Sequence, residues 1–360
     1  GHLVLGHPPL SRIAGQVAGV TDPNALEGLP LPEQRQAAIG HDAARSAILG
    51  QLGDHRLPGA IMLHGPQGIG KAALAFELAA AILMATGDED PIRVREQIAA
   101  LSHPNLSLLR RRPKDSKSFY SVIRVEDVRD LREALQHTRG RAGHRIAILD
   151  AIDDCNPNAA NALLKTLEEP PADTTFFLIS HRPGSLLPTI KSRCHNVALR
   201  PLSDALVTDI LSATLPDLDG NALQRAVQLA GGRPRRAFET LALAEDSPVG
   251  ALIQWLQQPD AMPVAVGLKL ADALGSDAQG PDMSFAREIL NDWLATEIRD
   301  AAMQAGQRRR LASATELWEK AGALLGEADS VNLDMKQTLA VIFDSIRKHC
   351  ALSASPAEPA

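Results

Sequence analysis

Aromatic side chains are few in this 360-residue chain: 3% of residues, with seven phenylalanines, three tryptophans and one tyrosine. Its cores have to be built from Leu, Ala, Ile and Val, a mix that favours helices over an all-β architecture. Cysteine is nearly absent. Cys155, Cys194 and Cys350 lie far apart with no C-x-x-C spacing, which argues against a zinc site or a disulfide framework and fits a reducing compartment. No apolar run approaches the length that spans a bilayer, and the first residues lack the basic-then-apolar pattern of a secretion signal. A soluble cytoplasmic protein without membrane contact is the expectation. A strong charge bias is missing too: 37 Lys plus Arg against 43 Asp plus Glu leave a net charge of −6. Any contact with nucleic acid therefore has to come from a local patch or from partners.

What is plentiful is apolar content, 45% of the chain, enough at this length for two or three domains. Residues 1–33, rich in Gly and Pro, read as a loosely structured arm. From 34 to 202, helical stretches alternate with four apolar runs, "RLPGAIMLHG", "HRIAILDAID", "TTFFLISHRP" and "RCHNVALRPL". That alternation predicts an α/β domain with a mainly parallel sheet covered on both faces. Residues 87–120 read as polar and irregular. Strand signals end near Pro201; 203–248 predicts a small helical unit and 249–350 several longer helices, with Trp255, Trp293 and Trp318 as core anchors. Residues 351–360 read as a disordered tail.

Two motifs carry chemistry. "GPQGIGKA" (65–72) follows an apolar run and precedes "KAALAFELAAAILMA", the strand–loop–helix setting of a phosphate-binding loop. There Gly65, Gly68 and Gly70 free backbone N–H groups to cradle phosphates at a helix N-terminus, and Lys71 reaches the terminal ones. The hydroxyl that should follow the lysine, to hold Mg²⁺, is replaced by Ala72. The second motif is "IAILDAID", where Asp150 stands at the strand end that holds the metal in phosphate-loop ATPases. The water-activating Glu expected next is Ala151, and Asp153 and Asp154 lie too far along to replace it. With positioning and electrostatics supplying nearly all of phosphoryl-transfer catalysis, this site should hydrolyse ATP very poorly. Lys71 and the loop backbone leave room for ATP or ADP at a degenerate site.

"NALLKTLEEPP", "FFLIS", "LLPTIKSRC" and the "RLPGA" entry to the loop resemble the AAA+ subunits of bacterial clamp loaders, the delta-prime class in particular. The resemblance spans most of residues 36–240. It implies an AAA+ α/β domain over 34–202, a three-helix lid over 203–248 and a helical collar over 249–350 that helps build a hetero-pentamer with gamma/tau and delta subunits. It also implies a place in the DNA polymerase III holoenzyme, acting on the sliding clamp and primer-template DNA through the complex. In the family the "SRC" arginine, here Arg193, points across an interface at ATP bound by the neighbour, a role that suits an always-charged, forked guanidinium. Arg235, in "AGGRPRRAF", falls where the lid-domain sensor arginine lies, with Arg233 and Arg236 as close competitors. Ser180 and His181 stand in the region of a small polar sensor, and His181 reads as a solvated loop histidine. The family's cysteine-rich zinc module is missing from 84–149, so no zinc is expected. The basic run Arg110, Arg111, Arg112, Lys114 and Lys117, like Arg308 to Arg310, reads as a solvated loop that could face DNA. The alternative to a silent subunit is an ATP-hydrolysing gamma/tau-like one; Ala72 and Ala151 argue against it.

Overall fold

A computed structural model describes residues 22–354 apart from 27, 116–117, 137–141, 244–246, 279, 305–306 and 332–333. The chain forms two compact units, Gly1–Ala242 and Leu243–Ala360.

The first unit is built on five parallel strands, β1 (Ala60–His64), β2 (Leu106–Leu109), β3 (Arg145–Asp150), β4 (Thr174–Ser180) and β5 (His195–Ala198), in the order β2-β3-β4-β1-β5. Every residue of β4 is buried, because it lies inside the sheet with helices over both faces. The period-two rule sorts the side chains. Ile61, Leu63, Ile146, Ile148, Phe177 and Ile179 enter one core with α1 (Asp42–Gly53), α2 (Lys71–Gly87) and α3 (Pro91–Ala99). Met62, Ala147, Leu149, Phe176 and Leu178 enter the opposite core with α4 (Val125–Gln136) and α5 (Pro157–Glu168). Ten of the 17 residues of α2 are buried, so this Ala-rich helix runs through the core rather than over it. The architecture is the α/β domain with a parallel sheet covered on both faces that the alternating runs predicted.

Two elements lie where an irregular stretch was expected. The helix α3 starts at an Asp90 N-cap, whose side chain accepts from the Arg93 N–H, with Pro91 in the first turn. The strand β2 spans four residues and pairs with β3 at the sheet edge, too short for a periodicity to show.

After a short helix α6 (Pro188–Lys191), three helices close the unit: α7 (Asp204–Thr214), α8 (Gly220–Ala230) and α9 (Pro234–Leu241). Ser203 and Asp219 cap the first two, and Val207, Leu211, Ala226, Ala230, Ala237 and Phe238 make their shared core. Leu26 and Leu29, from the segment expected to be a loose arm, pack against that core.

The second unit is all helical among the described residues: α10 (Pro248–Trp255), α11 (Val264–Gly275), α12 (Pro281–Met303), α13 (Arg308–Val331) and α14 (Met335–Ala354). Trp255 is its buried anchor, 4.9 Å from Phe343 between ring centroids. Trp293 is partly buried beside the core, but Trp318 is 49% exposed, because Leu317 and Ala321 take the inward positions of its helix. The final helix continues to Ala354, into the expected tail; residues 355–360 lie outside the described residues. No described helix is long and apolar enough to cross a membrane.

Candidate nucleotide cleft and interface arginine

The phosphate loop forms between β1 and α2. Gly65, Gly68 and Gly70 all adopt positive φ. At Gly65 an added Cβ would lie 2.2 Å from the Leu199 carbonyl oxygen, and at Gly68 2.8 Å from the Arg235 Cβ, so both positions exclude a side chain. Lys71 opens α2 buried, with its ammonium donating to the Gly65 and Pro66 carbonyls at 2.7 and 2.6 Å. Burial brings that ammonium down to about 8, against the pull of Asp150 and Asp153. The lysine stands where a phosphate-binding lysine stands, and its donors are directed at the loop itself.

Asp150 ends β3 beside this loop, as expected, but it does not face an open metal position. The Arg110 Nε donates to its Oδ2 at 3.3 Å, while the same guanidinium is gripped by both oxygens of Glu33 at 3.1 and 3.0 Å and lies 3.6 Å from Asp22. All four side chains are at most 7% exposed. Arg110 also sits over the Phe76 ring, 5.6 Å from its centroid. Burial pushes the Asp150 carboxyl up to about 6, with Arg110 and Lys71 pulling it down and Asp22 pushing it further up. The expectation of a solvated basic loop is corrected here for Arg110. Arg110 is an interior cation, Arg111 pairs with Asp154 at 3.0 Å, and Arg112 pairs with Asp127 and Asp130 at 2.8 and 2.7 Å. Lys117 lies outside the described residues. In the second unit Arg310 is similarly engaged, on Glu297 at 2.8 Å, and His349 meets the same carboxylate at 3.2 Å.

Asp153 is not placed for water activation. Its carboxylate accepts from the Ser180 hydroxyl and from the His181 and Arg182 N–H groups at 3.0, 2.6 and 3.0 Å, tying the end of β4 to the turn after β3. His181 is not a solvated loop residue either. It lines the cleft over the phosphate loop, and burial pushes its imidazole down to about 3. Arg235, in the first turn of α9, reaches the same cleft: its N–H donates to the Gly68 carbonyl at 3.3 Å. Its guanidinium pairs with Glu239 at 2.7 Å and donates to the Asn24 carbonyl. Arg236 is buried and Arg233 donates to the Ala230 carbonyl at 3.3 Å, so of the three Arg235 alone among the residues lining the cleft meets the loop.

The cleft is lined by the loop, by Asp150 and His181, by Arg235 and Phe238, and by 22–35, including Asp22, Asn24 and Arg35. A magnesium nucleotide does not fit this arrangement. The residue after the lysine has no hydroxyl, and the carboxylate that would share the metal already holds a guanidinium.

Arg193 is not among the described residues lining that cleft. It follows α6, and its guanidinium is presented at the surface by two acceptors: the Thr189 carbonyl at 2.9 Å and the Glu168 carboxylate at 2.7 Å. Glu168 closes α5, so the "NALLKTLEEPP" and "SRC" segments meet through this pair. The Arg193 side chain is 34% exposed and Glu168 49%, which leaves the guanidinium open to a further anionic partner.

Residues 40–203 match a family described as DNA polymerase III, delta subunit. The DNA polymerase III subunit delta' of Pseudomonas aeruginosa is 39% identical over 198 residues, covering 54% of this chain and 59% of that protein. The delta' subunit of Escherichia coli is 31% identical over 50% of this chain and 53% of its own length. The tau subunit of Escherichia coli is 29% identical over 58% of this chain and 32% of its own length. The chain spans about half the length of the delta' relatives it matches. Over residues 40–203, less than half of its length, the chain is thus similar to the delta' subunits of DNA polymerase III.

Proposed function

We propose that this protein is a non-hydrolysing AAA+ subunit of a bacterial clamp loader, which supplies Arg193 in trans to ATP bound by a neighbouring gamma/tau-type subunit. In this reading it joins gamma/tau and delta subunits in a hetero-pentamer held by the helical second unit. It serves the loading of the sliding clamp on primed DNA without turning over ATP itself, and Arg235 is left as a structural pair on Glu239.

One contrast supports the reading above all. The carboxylate at the chain's own metal position is occupied by Arg110, whereas Arg193 stands outside that cleft with its guanidinium part exposed. A guanidinium so presented suits charge that develops on a transferring phosphoryl group, the condition under which an arginine lowers the barrier. The gamma/tau-like alternative would need a hydroxyl at position 72, a carboxylate at position 151 and a free Asp150, and this chain has none of these.

The test is to assay ATP hydrolysis by the purified full chain, then by the chain mixed with gamma/tau and delta subunits and primed DNA. The proposal expects background turnover alone and a stimulated rate in the mixture. Appreciable turnover by the chain alone would refute it.

A further inference from the structure

The cleft over the phosphate loop raises the question of what holds its two walls together when no magnesium nucleotide fits. One wall is the loop with Asp150, at the carboxyl ends of β1 and β3; the other is α9, with Arg235 and Phe238. The segment 22–35 lies between them and is bound to both. Toward the sheet, Asp22 and Glu33 grip Arg110, which in turn holds Asp150. Toward the helices, Leu26 and Leu29 enter the core of α7–α9, and the Asn24 carbonyl accepts from Arg235.

The charges show what has been exchanged. A phosphate-loop site ordinarily brings together an anionic ligand, a metal cation and the cations and N–H groups of the protein. Here two carboxylates of the segment, Asp22 and Glu33, supply negative charge. Arg110, from the end of β2, supplies positive charge beside Asp150, in place of a divalent ion. With Lys71 the set holds two cations against three carboxylates, all buried, and a buried charge persists only when it is paired this way.

We propose that segment 22–33, clasped by Arg110, is a built-in replacement for the magnesium nucleotide. It fastens the α7–α9 group to the phosphate loop permanently, so this unit keeps one arrangement whatever the nucleotide concentration. The proposal concerns the chain's own cleft and stands whether or not Arg193 acts on a neighbour.

Hydrogen exchange of the full-length protein, followed by mass spectrometry, tests it. Four samples are compared: wild type with and without millimolar Mg²⁺-ADP, Glu33→Gln, and Arg110→Met. For wild type, Mg²⁺-ADP should change exchange in neither 65–74 nor 234–241. Glu33→Gln removes one carboxylate from the clasp and keeps its shape. It should raise exchange about tenfold or more, a shift of one decade in the opening equilibrium, in three places together: 22–35, the phosphate loop and α9. Arg110→Met should do the same or more where it folds; if it fails to fold, Glu33→Gln and the nucleotide comparison decide. Protection of 65–74 by Mg²⁺-ADP in the wild type would overturn the proposal. So would a Glu33→Gln variant whose faster exchange stops at 22–35, since the segment would then be a passenger on the cleft and not its fastener.

Discussion

Arg110 decides what the phosphate-loop cleft can hold, because a single guanidinium satisfies Asp150, Glu33 and Asp22 in a space closed to water. Removing it leaves three buried carboxylates facing each other, the situation in which breaking a buried ion pair costs about 3–5 kcal/mol. Arg110→Met should therefore lower the free energy of unfolding of the first unit by about that much, measured by urea titration; a loss below about 1 kcal/mol would place the cluster at the surface in energetic terms. Asp150 behaves in the opposite sense. Its carboxyl rises from 3.8 to about 6 on folding. A carboxyl that binds its proton more tightly in the fold contributes stability below its unfolded pKa, and that contribution is lost as pH rises through about 6. Asp150→Asn escapes the loss while an amide oxygen can still accept from Arg110. Its unfolding midpoint should exceed that of wild type at about pH 7.5, and the two should converge near about pH 4, below the range where the shift acts. A variant less stable at the higher pH would contradict this account of the site. Restoring the missing hydroxyl should also fail: Ala72→Thr is expected to gain no Mg²⁺-ATP binding by calorimetry, because Asp150 is still held by Arg110.

At the scale of elements, the phosphate loop was legible because strand, glycines and helix are contiguous, and each glycine does a local geometric job. The parallel sheet was legible from the apolar runs, with β2 as the strand that four residues could not announce. The Asp90–Pro91 pair did carry a helix-start signal for α3, and Val94 and Ile98 its buried face. The basic run misled because nothing local distinguishes Arg110 from its neighbours. Its partners Asp22 and Glu33 lie far earlier in the chain, and only the fold brings them together. The tryptophans of the second unit show the same limit. Trp255→Ala should cost about 3–5 kcal/mol through the cavity beside Phe343, whereas Trp318→Ala, removing a half-exposed ring, should change stability by less than about 1 kcal/mol. Thermal melts of the two variants check the difference, and equal losses would contradict the burial seen here.

At the scale of the whole molecule, the features add up to a phosphate-loop fold whose Asp150 is paired from within by Arg110 and whose Arg193 is part exposed away from that cleft. The "NALLKTLEEPP" and "SRC" segments were readable as family marks, and the structure adds a reason for their occurring together: Glu168 and Arg193 meet as a pair. What neither segment discloses is the internal cation at Asp150. In the proposed reading, that cation makes the silence of the site a matter of paired charge at Asp150 as well as of two missing catalytic groups. The measurement that tests the central claim most directly is DNA-stimulated ATP turnover by a clamp loader reconstituted with this chain, gamma/tau and delta, comparing wild type with Arg193→Ala. At the site that Arg193 faces, the account predicts a fall of about tenfold or more, the lower range for losing a transition-state arginine, with the complex still assembled. Unchanged turnover in an intact Arg193→Ala complex would contradict it.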